Sequence, residues 1–133
     1  MRLLIDTNIF LEVILGQEKA QVAQQLLSQT EEHDFFISDY SLHSIGLLLV
    51  RRKQYDVFRQ FVADMMSNAG VTLIGLSVDG MEAVMDAAEK YRLDFDDAYQ
   101  YAIAERYGLT LVSFDADFDR TERGRLDPDQ LRS

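Results

Sequence analysis

The sequence predicts an α/β fold, a three-layer α/β/α arrangement with a central parallel sheet of four or five strands. Three observations carry that expectation. Short apolar runs without alternation, such as "RLLI" from Arg2 to Ile5, read as strands buried on both faces. Stretches of helical periodicity separate each such run from the next. Strands that alternate with helices pair in parallel, because the helix carries the chain back across the sheet. The 133 residues suit a single domain, 1–133, with enough chain for a proper core and no linker, repeat or low-complexity segment.

Taken in order, the first strand stops at Asp6, and Asp6 or Thr7 can cap a helix that carries Ile9, Phe10, Val13 and Ile14 on one side. A second helix is expected from about Glu18 to Gln29, with Val22, Leu26 and Leu27 facing inward. "FFI" (Phe35 to Ile37) is the second strand. "SDYSLHSIGLLLVRR" follows as a capped helix with Leu42, Ile45, Leu48 and Leu49 at helical spacing. Tyr55, Phe58, Phe61, Val62 and Met65 mark another helix. "VTLIGL" from Val71 is the third strand, and the helix from Asp79 buries Met81, Val84, Met85 and Ala88. A helix from Asp94 ends at Gly108, whose freedom at positive φ suits a C-cap. "LTLVSF" from Leu109 is the fourth strand, with Arg125 and Leu126 as a short edge-strand candidate.

Composition narrows the function. Hydrophobic residues make up 47% and charged residues 27%, the balance of a globular protein. No cysteine is present, so disulfides and thiolate metal sites are excluded. The opening apolar run resembles a signal peptide only until Asp6, Asn8 and Glu12 break it, and no membrane-spanning run follows, so a cytoplasmic protein is expected. A net charge of −10 argues against a broad basic surface for nucleic acid. It leaves two local patches, Arg51 to Lys53 and the Arg120, Arg123 and Arg125 cluster. The first, at a helix end, reads best as a complement to the helix dipole. The second, just after the last acids, is the better candidate for guiding an RNA backbone, with a solvated tail as the equal alternative.

The acids are more telling. "LDFDDAYQYAIAERYG" packs Asp94, Asp96 and Asp97 into four residues, where one Asp is enough to start a helix. On a purely structural reading Asp94 caps, Asp97 stands at N3, and Asp96 is a spare solvated charge. Ligands of parallel sheets bind outside the carboxyl ends of the strands. Asp6, Asp39 and Asp115 each follow a strand and fall on that edge. Two carboxylates ~4 Å apart repel by about 4 kcal/mol at an effective dielectric near ~20, so a cluster calls for a cation. Ligands that are all oxygen suit Mg²⁺ or Mn²⁺, ions that favour phosphate substrates.

"LLIDTNIFLE", "LDFDDAYQYAIA" and "LTLVSFDADFD", in this order and spacing, resemble the three signature blocks of PIN-domain ribonucleases, and most of all the VapC-like toxins of toxin–antitoxin pairs. The resemblance covers nearly the whole chain. It implies a PIN-like parallel sheet between helices and an acidic pocket for Mg²⁺ or Mn²⁺. It makes Asp6 the first acid, Asp97 the third and Asp115 the fourth, both as metal ligands and as the catalytic set. Asn8 takes the family's polar position, Ser113 the hydroxyl that helps place the metal shell, and Asp117 and Asp96 are auxiliary candidates. One position departs: the family's second acid, a Glu on the helix after the second strand, is matched here by His43. Asp39, one turn earlier, is a substitute approaching from another angle. The implied partners are an RNA substrate, a cognate antitoxin protein and a second copy in a homodimer.

Competing motifs fail. "DADFD" imitates an EF-hand loop, but Arg120 and Leu126 occupy the required Gly and Glu positions. No phosphate-binding glycine loop, nucleophile elbow or His-Glu-x-x-His is present. A receiver domain would need an acidic pair after the first strand and a Lys after the last. Two functional readings stand, a metal-dependent endoribonuclease and a PIN-fold protein- or RNA-interaction module whose nuclease site has weakened.

Overall fold

The computed structural model describes residues 1–131. Four strands, β1 (Arg2–Ile5), β2 (Asp34–Ser38), β3 (Thr72–Ile74) and β4 (Thr110–Val112), form one sheet in the order β3-β2-β1-β4, and every pair is parallel. The edge strand sought at Arg125 and Leu126 is a single parallel bridge from Leu126 to Val112. It cannot lengthen, because Pro128 lacks an N–H and opens a short 3₁₀ turn.

Six α-helices cover the sheet: α1 (Thr7–Leu15), α2 (Ala20–Leu27), α3 (Asp39–Arg51), α4 (Tyr55–Val62), α5 (Met81–Tyr91) and α6 (Phe95–Tyr107). Side-chain oxygens open three of them. Asp6 accepts from the Thr7 N–H, Ser38 from that of Ser41 and Asp94 from that of Asp97, each satisfying a donor that the first helical turn leaves without a partner. Gly108 closes α6 at φ 65°, as its position suggested.

Side chains of successive strand residues go to opposite layers, which is why the strands show no alternation in sequence. Leu3, Ile5, Phe35 and Ile37 pack with Ile9 and Phe10 of α1, Leu26 of α2, Ile45 and Leu49 of α3 and Phe61 of α4. Leu4 and Leu111 pack on the other side with Val84 and Ala87 of α5 and Ala98, Ala102 and Ile103 of α6. Helix α6 touches both α5 and β4, so Ala98 through Ala104 are all buried. Its alanines keep the helix narrow enough for that double contact.

Three packing expectations change. Met85 is exposed and Ala87 takes the inward place on α5, since Val84, Ala87 and Ala88 share one helical face and Met85 lies about 100° from Val84 on the helix. Val22 is only partly buried, and Ala23 packs in the core instead. The α4 periodicity runs on to Met65, but through a wider π turn over Ala63–Asn68. Among the described residues no helix is long and apolar enough to cross a membrane.

Candidate metal centre

The floor of the site is built where β1 and β4 end side by side. The Asp6 N–H donates to the Val112 carbonyl at 3.0 Å, which extends the ladder by one residue and turns the carboxylate inward. Asp6 is 6% exposed. Its Oδ1 accepts from the Thr7 N–H at 2.7 Å and the Gln100 Nε2 at 2.6 Å, and its Oδ2 accepts from the Ser113 hydroxyl at 2.5 Å. Gln100 is fixed in turn by the Ser41 hydroxyl at 3.2 Å, which lies 2.7 Å from the Thr7 hydroxyl. Burial raises the Asp6 pKa; the three hydrogen bonds oppose that rise and the nearby Asp115 adds to it.

The rim comes from elsewhere in the chain. Because α5 leads into α6 without an intervening strand, the start of α6 reaches the carboxyl edge of the sheet. Asp97 stands in its first turn, with its own N–H held by Asp94 at 3.0 Å. One carboxylate oxygen from each of Asp97, Asp115 and Asp117 lies within 4.8 Å of the other two. Asp115 donates its N–H to the Ser113 oxygen at 2.9 Å and accepts the Asp117 N–H at 2.8 Å, so the turn after β4 aims both acids at Asp97. Ser113 therefore joins floor to rim, donating to Asp6 and accepting from Asp115.

The Asp97 pKa is pushed up to about 7, by burial first and then by the charges of Asp94, Asp6, Asp115 and Asp117. Carboxylates that oppose one another's ionisation, with oxygen as the sole donor type, fit a hard divalent cation, which would favour the charged forms. Asp97, Asp115 and Asp117 are the residues that could hold it, with Asp6 set back beneath them.

The remaining candidates fall apart from that group. The Asn8 Oδ1 is buried without a hydrogen-bond partner among the described residues, as is the Glu12 Oε2 one turn further along α1. Asp96 is exposed and lies with Ser44 beside the Tyr40 hydroxyl. His43 is exposed on α3 and is not among the clustered acids; it lines a cavity with Asp39, Tyr40, Phe95 and Tyr99. Ser41 and Ser44, three residues apart and so on one face of α3, are what the helix presents on the acid side. Asp39 turns the other way, its Oδ1 accepting from the Tyr99 hydroxyl at 2.8 Å and the Tyr40 N–H at 2.9 Å. Helix α3 thus contributes hydroxyls where a second acid was sought.

The arginine cluster also has other work. Arg120 reaches the carbonyls of Tyr91 and Arg92 and the Asp117 carboxylate. Arg123 donates to the Leu109 carbonyl, and Arg125 binds the Ser113 carbonyl, Asp119 and Asp127. Arg120 ties the turn that carries the acids to the end of α5, Arg125 braces that turn, and Arg123 is held at the start of β4. Sequence reasoning missed Gln100 and Ser41. A signal for Gln100 was present: a lone polar residue three positions after Asp97 in the otherwise apolar "AYQYAIA".

Comparison with known proteins agrees with this architecture. A chain of a toxin–antitoxin complex from Klebsiella pneumoniae is 23% identical, with a TM-score of 0.70 over 94% of this chain and 96% of that one. VapC20 of Mycobacterium tuberculosis, described as a Sarcin-Ricin loop cleaving toxin, is 20% identical, with a TM-score of 0.72 over 88% and 92%. A chain of VapBC2 from Rickettsia felis, bound to a promoter DNA fragment, is 17% identical, with a TM-score of 0.72 over 96% and 98%. At these identities the likeness is one of fold. No curated protein matched the sequence. The PIN domain family model matches residues 3–124, nearly the whole chain, and the protein belongs to the PIN domain family.

Proposed function

We propose that this protein is a divalent-metal-dependent endoribonuclease, the toxin of a toxin–antitoxin pair, acting as a single domain in the cytoplasm. The observation that carries the reading is the close approach of Asp97, Asp115 and Asp117 above a buried, hydrogen-bonded Asp6. PIN domains are in general metal-dependent nucleases, and the solved relatives include toxins in complex with their antitoxins.

Bound Mg²⁺ or Mn²⁺ would supply Lewis acidity toward a phosphodiester and a more acidic water. The chain's own part is positional. Gln100 and Ser113 hold both oxygens of Asp6 in place, Ser113 fixes the backbone of Asp115, and the tight turn after it delivers Asp117. The Asp94 cap sets the first turn of α6 and with it Asp97. An antitoxin segment has an apolar surface available along α3 and α4, a groove of about 480 Å³ lined by Leu42, Leu47, Val50 and Phe58 among others. A homodimer belongs to the same reading.

The test is cleavage of a mixed set of structured RNAs in Mn²⁺, in Mg²⁺ and in chelator, with Asp6→Asn and Asp97→Asn purified identically. Metal-dependent cleavage lost in both variants is the expected result. Equal residual activity in all three proteins would leave the second reading, a PIN-fold interaction module. The hydroxyls that α3 offers in place of an acid favour that alternative.

A further inference from the structure

A cavity of about 390 Å³ opens between α3 and α6, lined by Asp39, Tyr40, His43, Phe95 and Tyr99. Phe95 sits in the sequence between the Asp94 cap and Asp96, yet the residue is 53% exposed. It is held firmly all the same. The ring stacks on Tyr99 with centroids 6.2 Å apart and planes inclined by 28°. The Tyr99 hydroxyl donates to Asp39 and accepts from the Leu76 N–H at 3.0 Å, so the ring beneath Phe95 cannot swing. Tyr40 joins the cavity to the metal centre, since its hydroxyl lies beside Asp96 and feels the charge of Asp6.

We infer that this cavity is a nucleobase subsite, in which an unpaired base of the RNA, guanine foremost, stacks on Phe95 while a neighbouring phosphate lies at the acid cluster. The inference rests on the ribonuclease reading above. An exposed, rigid aromatic face is the usual platform for an unstacked base. The lining is mostly aromatic and its one carboxylate, Asp39, disfavours a phosphate, so the base and not the backbone is the part that enters. Asp39 Oδ2, which packs beside Gly75, makes no hydrogen bond among the described residues and is left as the acceptor this wall can offer to base N–H groups. The guanine edge offers two such donors, at N1 and N2, where uracil offers one. His43, on the α3 wall, belongs to this cavity and so to base selection, not to the metal.

The test uses a fluorescein-labelled uridine hexaribonucleotide carrying one central guanosine, uridine or abasic residue, bound in Ca²⁺ to read affinity apart from cleavage. The guanosine oligomer is expected to bind most tightly. Phe95→Ala should weaken it by about 5- to 100-fold, the worth of one base stack, and leave the abasic oligomer unchanged. Phe95→Trp should restore binding, and Asp39→Asn should erase the preference for guanosine over uridine. Equal affinity of wild type and Phe95→Ala for the guanosine oligomer overturns the subsite. So does a shift of the RNA-free protein to a smaller sedimenting species in Phe95→Ala, which would assign the face to a second copy. Metal-dependent RNA cleavage with unaltered KM and sequence preference in Phe95→Ala removes the subsite and leaves the nuclease. Base-dependent binding without any cleavage keeps the subsite and removes the nuclease.

Discussion

The floor and the rim of the acidic site are built from the same residue type and behave differently. Asp6 in the floor is almost fully buried, and both of its oxygens are hydrogen-bonded by Thr7, Gln100 and Ser113. In the rim, Asp97, Asp115 and Asp117 face one another across less than 4.8 Å. The Asp97 side-chain oxygens accept no hydrogen bond among the described residues, and its backbone N–H is spent on the Asp94 cap. A buried charge persists when dipoles compensate it, whereas clustered half-exposed charges persist best when a cation does. Folding alone completes the floor, while the rim keeps a mutual repulsion that a bound cation would relieve. The contrast separates residues whose loss should be felt in stability from those whose loss should be felt in metal binding.

The largest effect expected from that division is on the rim. Mn²⁺ at ~100 times its dissociation constant should stabilise the protein by about 2.7 kcal/mol, read as a rise in melting temperature. Asp97→Asn should abolish the rise while lifting the metal-free melting temperature, because one of the repelling charges is gone. A Mn²⁺ response that survives Asp97→Asn would break the comparison.

On the floor, Gln100→Leu leaves Asp6 Oδ1 short of one donor and the Ser41 hydroxyl short of its acceptor. A cost of roughly 1–3 kcal/mol in denaturant unfolding is expected, with or without metal. If the loss appeared only in the presence of Mn²⁺, Gln100 would belong functionally to the rim.

A pH profile sharpens the distinction further. The Asp97 pKa is raised from 3.8 to about 7 in the folded protein, so the native state binds more protons than the unfolded chain between those values. The associated stability is fully present below about pH 4 and lost as pH rises through about 7. Metal-free melting temperature should therefore fall by a few degrees over that range, and saturating Mn²⁺ should flatten the fall. Calorimetry across the range checks both halves, and a metal-free profile that rises instead would contradict the rim's repulsion. The smallest change is expected for Asp117→Asn. That residue is exposed and paired with Arg120, so stability should move by less than about 0.5 kcal/mol while the Mn²⁺ titration midpoint weakens a few-fold.

Much of this site was legible in the sequence. Asp6 and Asp115 follow buried strands, and the rule for parallel sheets puts them on one edge. Asp97 could be added because the family's blocks occur here in order. What escaped was direction around a helix. Consecutive helical residues differ by about 100° of azimuth, so choosing His43 over Ser44 reverses which residue faces the acids. Asp39 had the right position in the chain, but Tyr99, sixty residues away, draws its carboxylate to the far side. The arginines after Asp115 looked free because half of their hydrogen bonds go to backbone carbonyls, which no composition reveals. Met85 and Ala87 differ for a similar reason: the face of α5 that carries Val84 is turned to α6, and Ala87 lies on it where Met85 does not.

The hydrogen bond from Ser113 to Asp6 spans 107 residues of chain, and β1 lies between β2 and β4 in the sheet. During synthesis β1 can pair with β2 early, but its other neighbour arrives only after the four helices α3 to α6 have been made. Contacts of such long sequence separation form late and slowly. Asp6 therefore waits, without Ser113 and without the Asp115 turn, until β4 has left the ribosome and docked. Until then the acidic site has its first carboxylate but neither the hydroxyl that holds it nor the turn that brings Asp115 and Asp117 to Asp97.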